Sequence, residues 1–188
     1  MSIFQHYQSR YEQAQQEEFS LQEFLDICRK DKFAYASAAE RLLKAIGKPK
    51  MIDTSHEPSL SRIFSNRVLA RYPVFKDFYG MEEAIEQIVA YLTHASQGLE
   101  EQKQILYLLG PVGGGKSSLA EKIKVLMQQE PIYILSANGE RSPVNDHPFC
   151  LFDSNEDGKI LKDEYKIPLR YLNNIISPWT AKRLHEFK

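Results

Sequence analysis

The run Gly110-Pro111-Val112-Gly113-Gly114-Gly115-Lys116-Ser117 matches the pattern G-x-x-x-x-G-K-[ST] at every fixed position. Its flanks are the ones that the pattern requires. Before it, Ile105-Leu106-Tyr107-Leu108-Leu109 is a short apolar run with strand character, and behind it Ser118 to Met127 reads as a helix with Leu119, Ile123, Leu126 and Met127 on one side. Strand, glycine loop and helix together point to an α/β chain built around a phosphate-binding loop. Consecutive backbone N–H groups reach phosphate oxygens only where side-chain bulk is missing, which is the task of the glycines. The helix opening near Lys116 adds unpaired N–H groups and the positive end of its dipole. The Lys116 ammonium suits β- and γ-phosphates, the Ser117 hydroxyl suits a Mg²⁺ ion bridging them, and Ser118 is a further donor. The bland alternative is a flexible glycine turn that binds nothing.

At 188 residues and 43% hydrophobic content the chain can bury the core of one domain plus an appendage. Its 24 basic and 25 acidic residues leave a formal net charge of -1 with no basic stripe, so neither nucleic acid nor an anionic membrane is an expected partner. Cys28 and Cys150 sit in apolar surroundings without metal-type spacing and read as reduced core residues. Met1 is followed by polar, glutamine-rich sequence, so no signal peptide is expected, and no apolar run approaches membrane-spanning length. The expected location is the cytoplasm.

The first stretch is helical in pattern: Phe4, Tyr7, Tyr11 and Ala14 share one face. Ser20 and Glu23 form a capping box for a second helix, with Phe19 and Phe24 placed for a hydrophobic staple. A third helix is predicted from about Asp31 to Ile46, stopped by Gly47 and Pro49. From Lys48 to Tyr79 runs a connector, linker-like in its polar first half; its second half, with Ile63, Phe64, Leu69, Tyr72, Phe75 and Phe78, is apolar enough to lie on the domain. Met81, Ala84, Ile85, Ile88, Val89 and Leu92 then mark an amphipathic helix ending near Gly98.

Phe78-Tyr79-Gly80-Met81-Glu82, opening a helix about thirty residues before the glycine loop, resembles the adenine-side box of AAA+ ATPases. The segments Leu60-Ser61-Arg62-Ile63-Phe64-Ser65-Asn66-Arg67, Tyr107 to Leu119 and Ser136-Ala137-Asn138-Gly139-Glu140-Arg141-Ser142-Pro143-Val144 are similar to the N-terminal part of the PrkA-type serine protein kinases of bacteria, a similarity running over essentially the whole chain. That resemblance implies an AAA+ module binding ATP or ADP with Mg²⁺ through Gly110, Pro111, Val112, Gly113, Gly114, Gly115, Lys116, Ser117 and Ser118. Tyr79 and Gly80 fall on the adenine side, and Ser117 on Mg²⁺. It also implies partner subunits, including further copies of the chain, or a protein substrate. Members of that family continue far beyond the position of Lys188, so the kinase region, the second acidic motif, the sensors and the arginine finger are expected downstream.

The residues agree that the catalytic set is incomplete: no H-R-D-L-x-x-x-N and no D-F-G occurs. Phe149-Cys150-Leu151-Phe152-Asp153 has the outline of an apolar strand ending in a Mg²⁺ carboxylate, although Ser154 stands where AAA+ proteins place a Glu. Asp153, Asn155, Asp157, Gly158 and Glu164 also satisfy the calcium-loop pattern D-x-[DN]-x-[DN]-G-x₅-E, with Ile160 at the apolar place. Pro143 and Pro148 leave no room for an entering helix, so a solvated acidic turn is the competing reading. A second strand is predicted at Ile132 to Leu135. The polar loop after it, with Asn138, Glu140, Arg141, Asn145, Asp146 and His147, could face a ligand or lie on the surface. Ser177-Pro178 starts a final helix carrying Trp179, Leu184 and Phe187, after Ile175 and Ile176. The architecture expected is thus an α/β P-loop NTPase core of AAA+ type, incomplete within this chain. It divides into a helical region over 1–47, a connector over 48–79 and the front of the nucleotide-binding domain over 80–188.

Overall fold

Local capping chemistry sets the helix boundaries. In the computed structural model, which describes residues 18–56, 58–172 and 175–186, helix α1 (Leu21–Lys30) opens with the Ser20–Glu23 capping box and buries Phe24, Leu25 and Cys28. The pattern at Phe4, Tyr7, Tyr11 and Ala14 lies outside the described residues, as does Phe187. Phe19 and Phe24 meet through a third ring, each lying against Tyr133 at 6.1 and 5.1 Å. The single helix predicted from Asp31 to Ile46 is divided. Asp31 caps a 3-10 turn at Lys32–Tyr35, and Ser37 with Glu40 forms a second capping box that starts α2 (Ala38–Ile46). The Ser37 hydroxyl takes the Glu40 N–H, which gives the chain an alternative to continuing the earlier turn. Gly47, at φ +75°, ends α2 as expected.

The polar part of the connector is structured. Strand β1 (Lys50–Asp53) pairs antiparallel with β2 (Val68–Arg71), with Met51 opposite Ala70 and Ile52 opposite Leu69, and helix α3 (Pro58–Phe64) lies between them in sequence. Thr54 is fully buried, its hydroxyl donating to the Arg67 carbonyl at 2.8 Å. After β2, Tyr72 and Phe75 enter the core. Helix α4 (Glu82–Ser96) then buries Ile85, Ile88, Val89 and Leu92, while α5 (Lys116–Gln128) buries Leu119 and Leu126 with Ile123 and Met127 packed alongside.

The three predicted strands around the loop are corrected. Residues 105–109 form neither helix nor strand. Ile105, Tyr107 and Leu109 are 91%, 79% and 85% exposed, while Leu108 between them packs on the core. A strand is defined by its ladder, and apolar residues alone do not make one. Residues 132–135 likewise form no strand; Leu135 is tied to Asp146 and Ser142, and the sheet that follows is a two-residue hairpin, β3 (Ser136–Ala137) with β4 (Glu140–Arg141). Asn138 and Gly139, both at positive φ, make its turn. The apolar run before Asp153 is a 3-10 helix at Pro148–Leu151, because Pro148 removes a donor and His147 Nδ1 accepts from the Phe149 N–H. Both sheets described are therefore antiparallel pairs, and no parallel sheet forms among the described residues.

Helix α6 (Gly158–Tyr165) and helix α7 (Pro178–Glu186) complete the order, α7 being capped by the Ser177 hydroxyl. Apolar burial falls into two clusters. One gathers α2, β2, α4 and α5 around Ile46, Tyr72, Phe75, Ile85 and Leu119; the other gathers α1 with Phe149, Leu161 and Ile167. Glu40 on α2 accepts from Tyr171 at 2.6 Å and from Arg170 at 3.2 Å, so the early helices are bonded to chain more than a hundred residues later.

Candidate nucleotide-binding site

The glycine loop and the N-terminus of α5 are one structural unit. Gly113 and Gly115 have φ of +81° and +75°, a backbone region that L side chains avoid. Gly114 donates to the Pro111 carbonyl at 3.2 Å, and a Cβ on it would stand 3.1 Å from that oxygen. On Gly115 a Cβ would meet Met81 Sδ at 2.9 Å. The loop is thus a cradle that side-chain atoms would fill.

Lys116 folds back over this cradle. Its ammonium donates to the carbonyls of Gly110 at 2.7 Å and Pro111 at 2.5 Å, which occupies two of its three N–H donors and leaves one. The charge is thereby fixed at the loop mouth, with no ion-pair partner among the described residues. Helices α1, α2 and α7 each begin with a serine side-chain cap, whereas α5, whose N-cap is Gly115, has none, as is also true of α4 and α6. The N–H groups of the first turn of α5 are left to a ligand or to solvent. Ser117 and Ser118 are exposed beside them, and Val112 is fully exposed at the loop tip. This arrangement suits a multivalent anion with a metal ion at Ser117.

The start of α4 meets the loop through Met81. Met81, which precedes Glu82 at the start of that helix, is the residue against Gly115, and Tyr79 and Gly80 come just before it. Tyr79 is 77% exposed, and Gly80, at φ +76°, has open space where a side chain would project.

Asp153 belongs elsewhere in the molecule. The loop is carried by the cluster of α4 and α5, whereas Asp153 stands in the turn before α6, whose Leu161 is in the second cluster. Its Oδ1 accepts from the Asn155 and Glu156 N–H groups, and Asp157 Oδ2 accepts from the Asp153 N–H, so both carboxylates close their own turn. Glu164 is exposed on α6, and the described residues contain no group of three His, Cys, Asp or Glu placed to hold a metal ion. The loop residues read as possible ligand contacts are committed to the fold. Asp146 accepts from Ser142, Ser177 and Thr180, Glu140 pairs with Arg183, and Arg141 donates to Asn145. His147 is half-buried, its ring edge-on to Phe24 and Phe149, and its partial burial pushes its pKa down to about 4.

Glu82, named from the sequence only as the last residue of the Phe78–Glu82 box and given no role of its own, is buried with its Oε2 lacking a hydrogen-bond partner among the described residues. Its place in the first helical turn gave no sign of this.

The PrkA AAA domain family model matches residues 19–188. The chain is 73% identical over 187 residues to the serine/threonine kinase YeaG of Escherichia coli strain K12, an alignment taking in all of this chain and 29% of that protein. It is also 30% identical over 125 residues to the ATP-dependent protease PrkA of Bacillus subtilis strain 168, covering 62% of this chain and 18% of that one. The chain therefore spans less than a third of the curated relatives that it matches. No solved structure matches it. No helix among the described residues is long and apolar enough to cross a membrane. With a glycine cradle, a preset lysine and a family model covering both clusters, the chain belongs to the PrkA AAA domain family.

Proposed function

We propose that this chain is the ATP-binding module of a PrkA-like serine protein kinase, working in the cytoplasm. The carrying observation is the lysine: its ammonium is fixed by the first two carbonyls of the loop, over a first helical turn that no side chain caps. Gly110 to Gly115 would surround the phosphates with backbone N–H groups, Lys116 would meet the β- and γ-phosphates, and Ser117 would hold Mg²⁺, with Ser118 as a further donor. Bound Mg²⁺ supplies charge neutralisation between those phosphates. Tyr79 and Gly80 would flank the base. Asp153 is a weaker candidate for the metal, since its carboxylate closes its own turn. Protein substrates and partner subunits, including further copies of this chain, would engage the assembled module.

A second reading has a specific basis, because one relative is named an ATP-dependent protease. There the same module would couple ATP turnover to work on a protein chain. Both readings share the loop. Calorimetry with Mg-ATP decides it: Lys116→Ala should weaken binding about tenfold or more by removing a charge-assisted contact. Gly115→Val should weaken it too, through Met81 and the positive φ. Equal affinity in wild type and Lys116→Ala would overturn the assignment. Phosphate transfer to a protein acceptor, against ATP-dependent cleavage of one, separates the two readings in a chain of the relatives' length. The 188-residue chain alone should turn over ATP more slowly than about 1 s⁻¹, the lower end for kinases.

A further inference from the structure

The second cluster carries a hollow of about 380 Å³ that the glycine loop does not use. It lies where two helices end: α1 stops at Lys30 with Asp31 as its cap, and α6 stops at Tyr165 with Lys166 capping it at φ +59°. Arg29, Lys30, Lys32 and Lys166 line it, against one carboxylate, Asp31. Cations at a helix C-terminus are ordinarily explained by the dipole, which presents roughly half a negative charge at each such end. The two ends therefore account for about one cation and Asp31 for another, which leaves an excess of about two positive charges in a chain whose formal net charge is -1. Nothing described neutralises that excess. Asp31 Oδ1 accepts from the Phe33 N–H at 2.8 Å, and none of the four cations has an ion-pair partner among the described residues. Tyr35 and Tyr165 supply aromatic wall, and the Gln22 side chain donates to the Tyr165 hydroxyl at 3.3 Å.

We infer that this hollow is a binding site for a phosphate monoester, with the Arg29 guanidinium and the ammonium groups of Lys32 and Lys166 meeting its oxygens. A monoester carries about −1.5 to −2 charges at pH 7, which matches the excess, whereas a single carboxylate leaves part of it unmet. The planar fork of arginine takes two oxygens of one group, and the lysines add mobile point charges around the remainder. The volume accommodates a phosphoryl group together with the carbon chain that bears it, set against Tyr35 and Tyr165. A small molecule and a phosphorylated side chain of a protein present the same chemistry to the site. The site belongs to the ends of α1 and α6 and does not depend on the nucleotide reading of 110–118.

Site-resolved titration of the 188-residue chain tests this. Backbone amide signals are followed by NMR as inorganic phosphate is added, and in separate titrations as a short blocked peptide with one phosphoserine between alanines, or its unphosphorylated form, is added. Saturable shifts should appear at the amides of 28–33 and 165–167 with phosphate and with the phosphopeptide, and not with the unphosphorylated peptide. Lys32→Gln combined with Lys166→Gln should weaken both about tenfold or more, the worth of a hydrogen bond to a charged group. The same loss of charge at exposed Lys76 and Lys103, each replaced by Gln, should change them by less than about twofold, because charges elsewhere on the surface are screened. A phosphopeptide bound more than about tenfold tighter than phosphate assigns the site to phosphorylated protein, and comparable affinities assign it to a free monoester. Absence of saturable shifts at these amides with both phosphate-bearing probes, equal shifts with the unphosphorylated peptide, or equal weakening by the two pairs of substitutions would overturn the proposal. Shifts at 110–118 report on the glycine loop separately.

Discussion

His147 is held neutral by its surroundings. Burial lowers its pKa to about 4, a hydrogen bond with the Ala34 backbone works the other way, and the nearby charge of Arg41 lowers it further. Nδ1 accepts from the Phe149 N–H at 3.2 Å, which requires the unprotonated nitrogen there. A group whose folded pKa lies below its unfolded one contributes stability above the unfolded value, here 6.5, and loses it as pH falls toward the folded value. Between pH 6.5 and pH 4 the fold should therefore lose up to about 3 kcal/mol from this residue. Denaturant unfolding at pH 7 and pH 5 measures it, and His147→Gln should flatten the dependence. An imidazole signal from His147 titrating near pH 6.5 would contradict the account. Cys28, whose thiol is pushed up to about 12 mainly by burial, should resist alkylation in the folded chain.

Among the elements, the β3–β4 hairpin and α7 are joined through one carboxylate. Asp146 Oδ2 accepts from the hydroxyls of Ser142 at 2.9 Å, Ser177 at 2.5 Å and Thr180 at 2.8 Å, which satisfies two almost fully buried side chains, Ser142 and Thr180. Burial pulls the Asp146 pKa up, but the three hydroxyls outweigh it and leave the group below the usual carboxylate range. Its contribution is accordingly present above about pH 4 and lost as acid protonates it. Asp146→Ala should lower stability by about 1–3 kcal/mol, since two buried hydroxyls lose their acceptor. Hydrogen exchange should quicken at the amides of 178–186 and stay unchanged in α4; equal effects in both would refute the joint. The same contrast explains what was legible in the sequence. Ser20–Glu23, Ser37–Glu40 and Ser177–Pro178 act within four residues, so helix starts can be read locally, although the Ser37 box makes the third helix start later than the apolar pattern from Asp31 suggests. The candidate site was legible for the same reason, as one continuous run. Ile132 to Leu135 and Phe149 to Asp153 carry strand-like composition, yet their ladders depend on distant chain, and Pro148 and His147 turn the second of them into a 3-10 helix.

The molecule as a whole carries an open flank beside its most function-like feature. Leu108 packs on the first core, whereas Ile105, Tyr107 and Leu109 alternate with it on the outer side, almost entirely exposed. That is the pattern of a strand with one face seated and its ladder unmade, a geometry that attracts other chain segments. In the 188-residue chain the three outer side chains bury too little to matter for stability. Replacing all three by threonine should therefore change unfolding free energy by no more than the roughly 0.5 kcal/mol typical of surface changes, while reducing binding of a hydrophobic dye. In a chain of the relatives' full length, we expect the same triple substitution to be strongly destabilising, because apolar side chains on a central strand would be buried there at about 1.5–3 kcal/mol each. The paired unfolding measurement is decisive. A large loss in the short chain would mean that it buries this strand by itself, through association of copies or a rearranged sheet. A negligible loss in both would mean that the outer face stays open and that the residues before the glycine loop are not part of a completed sheet.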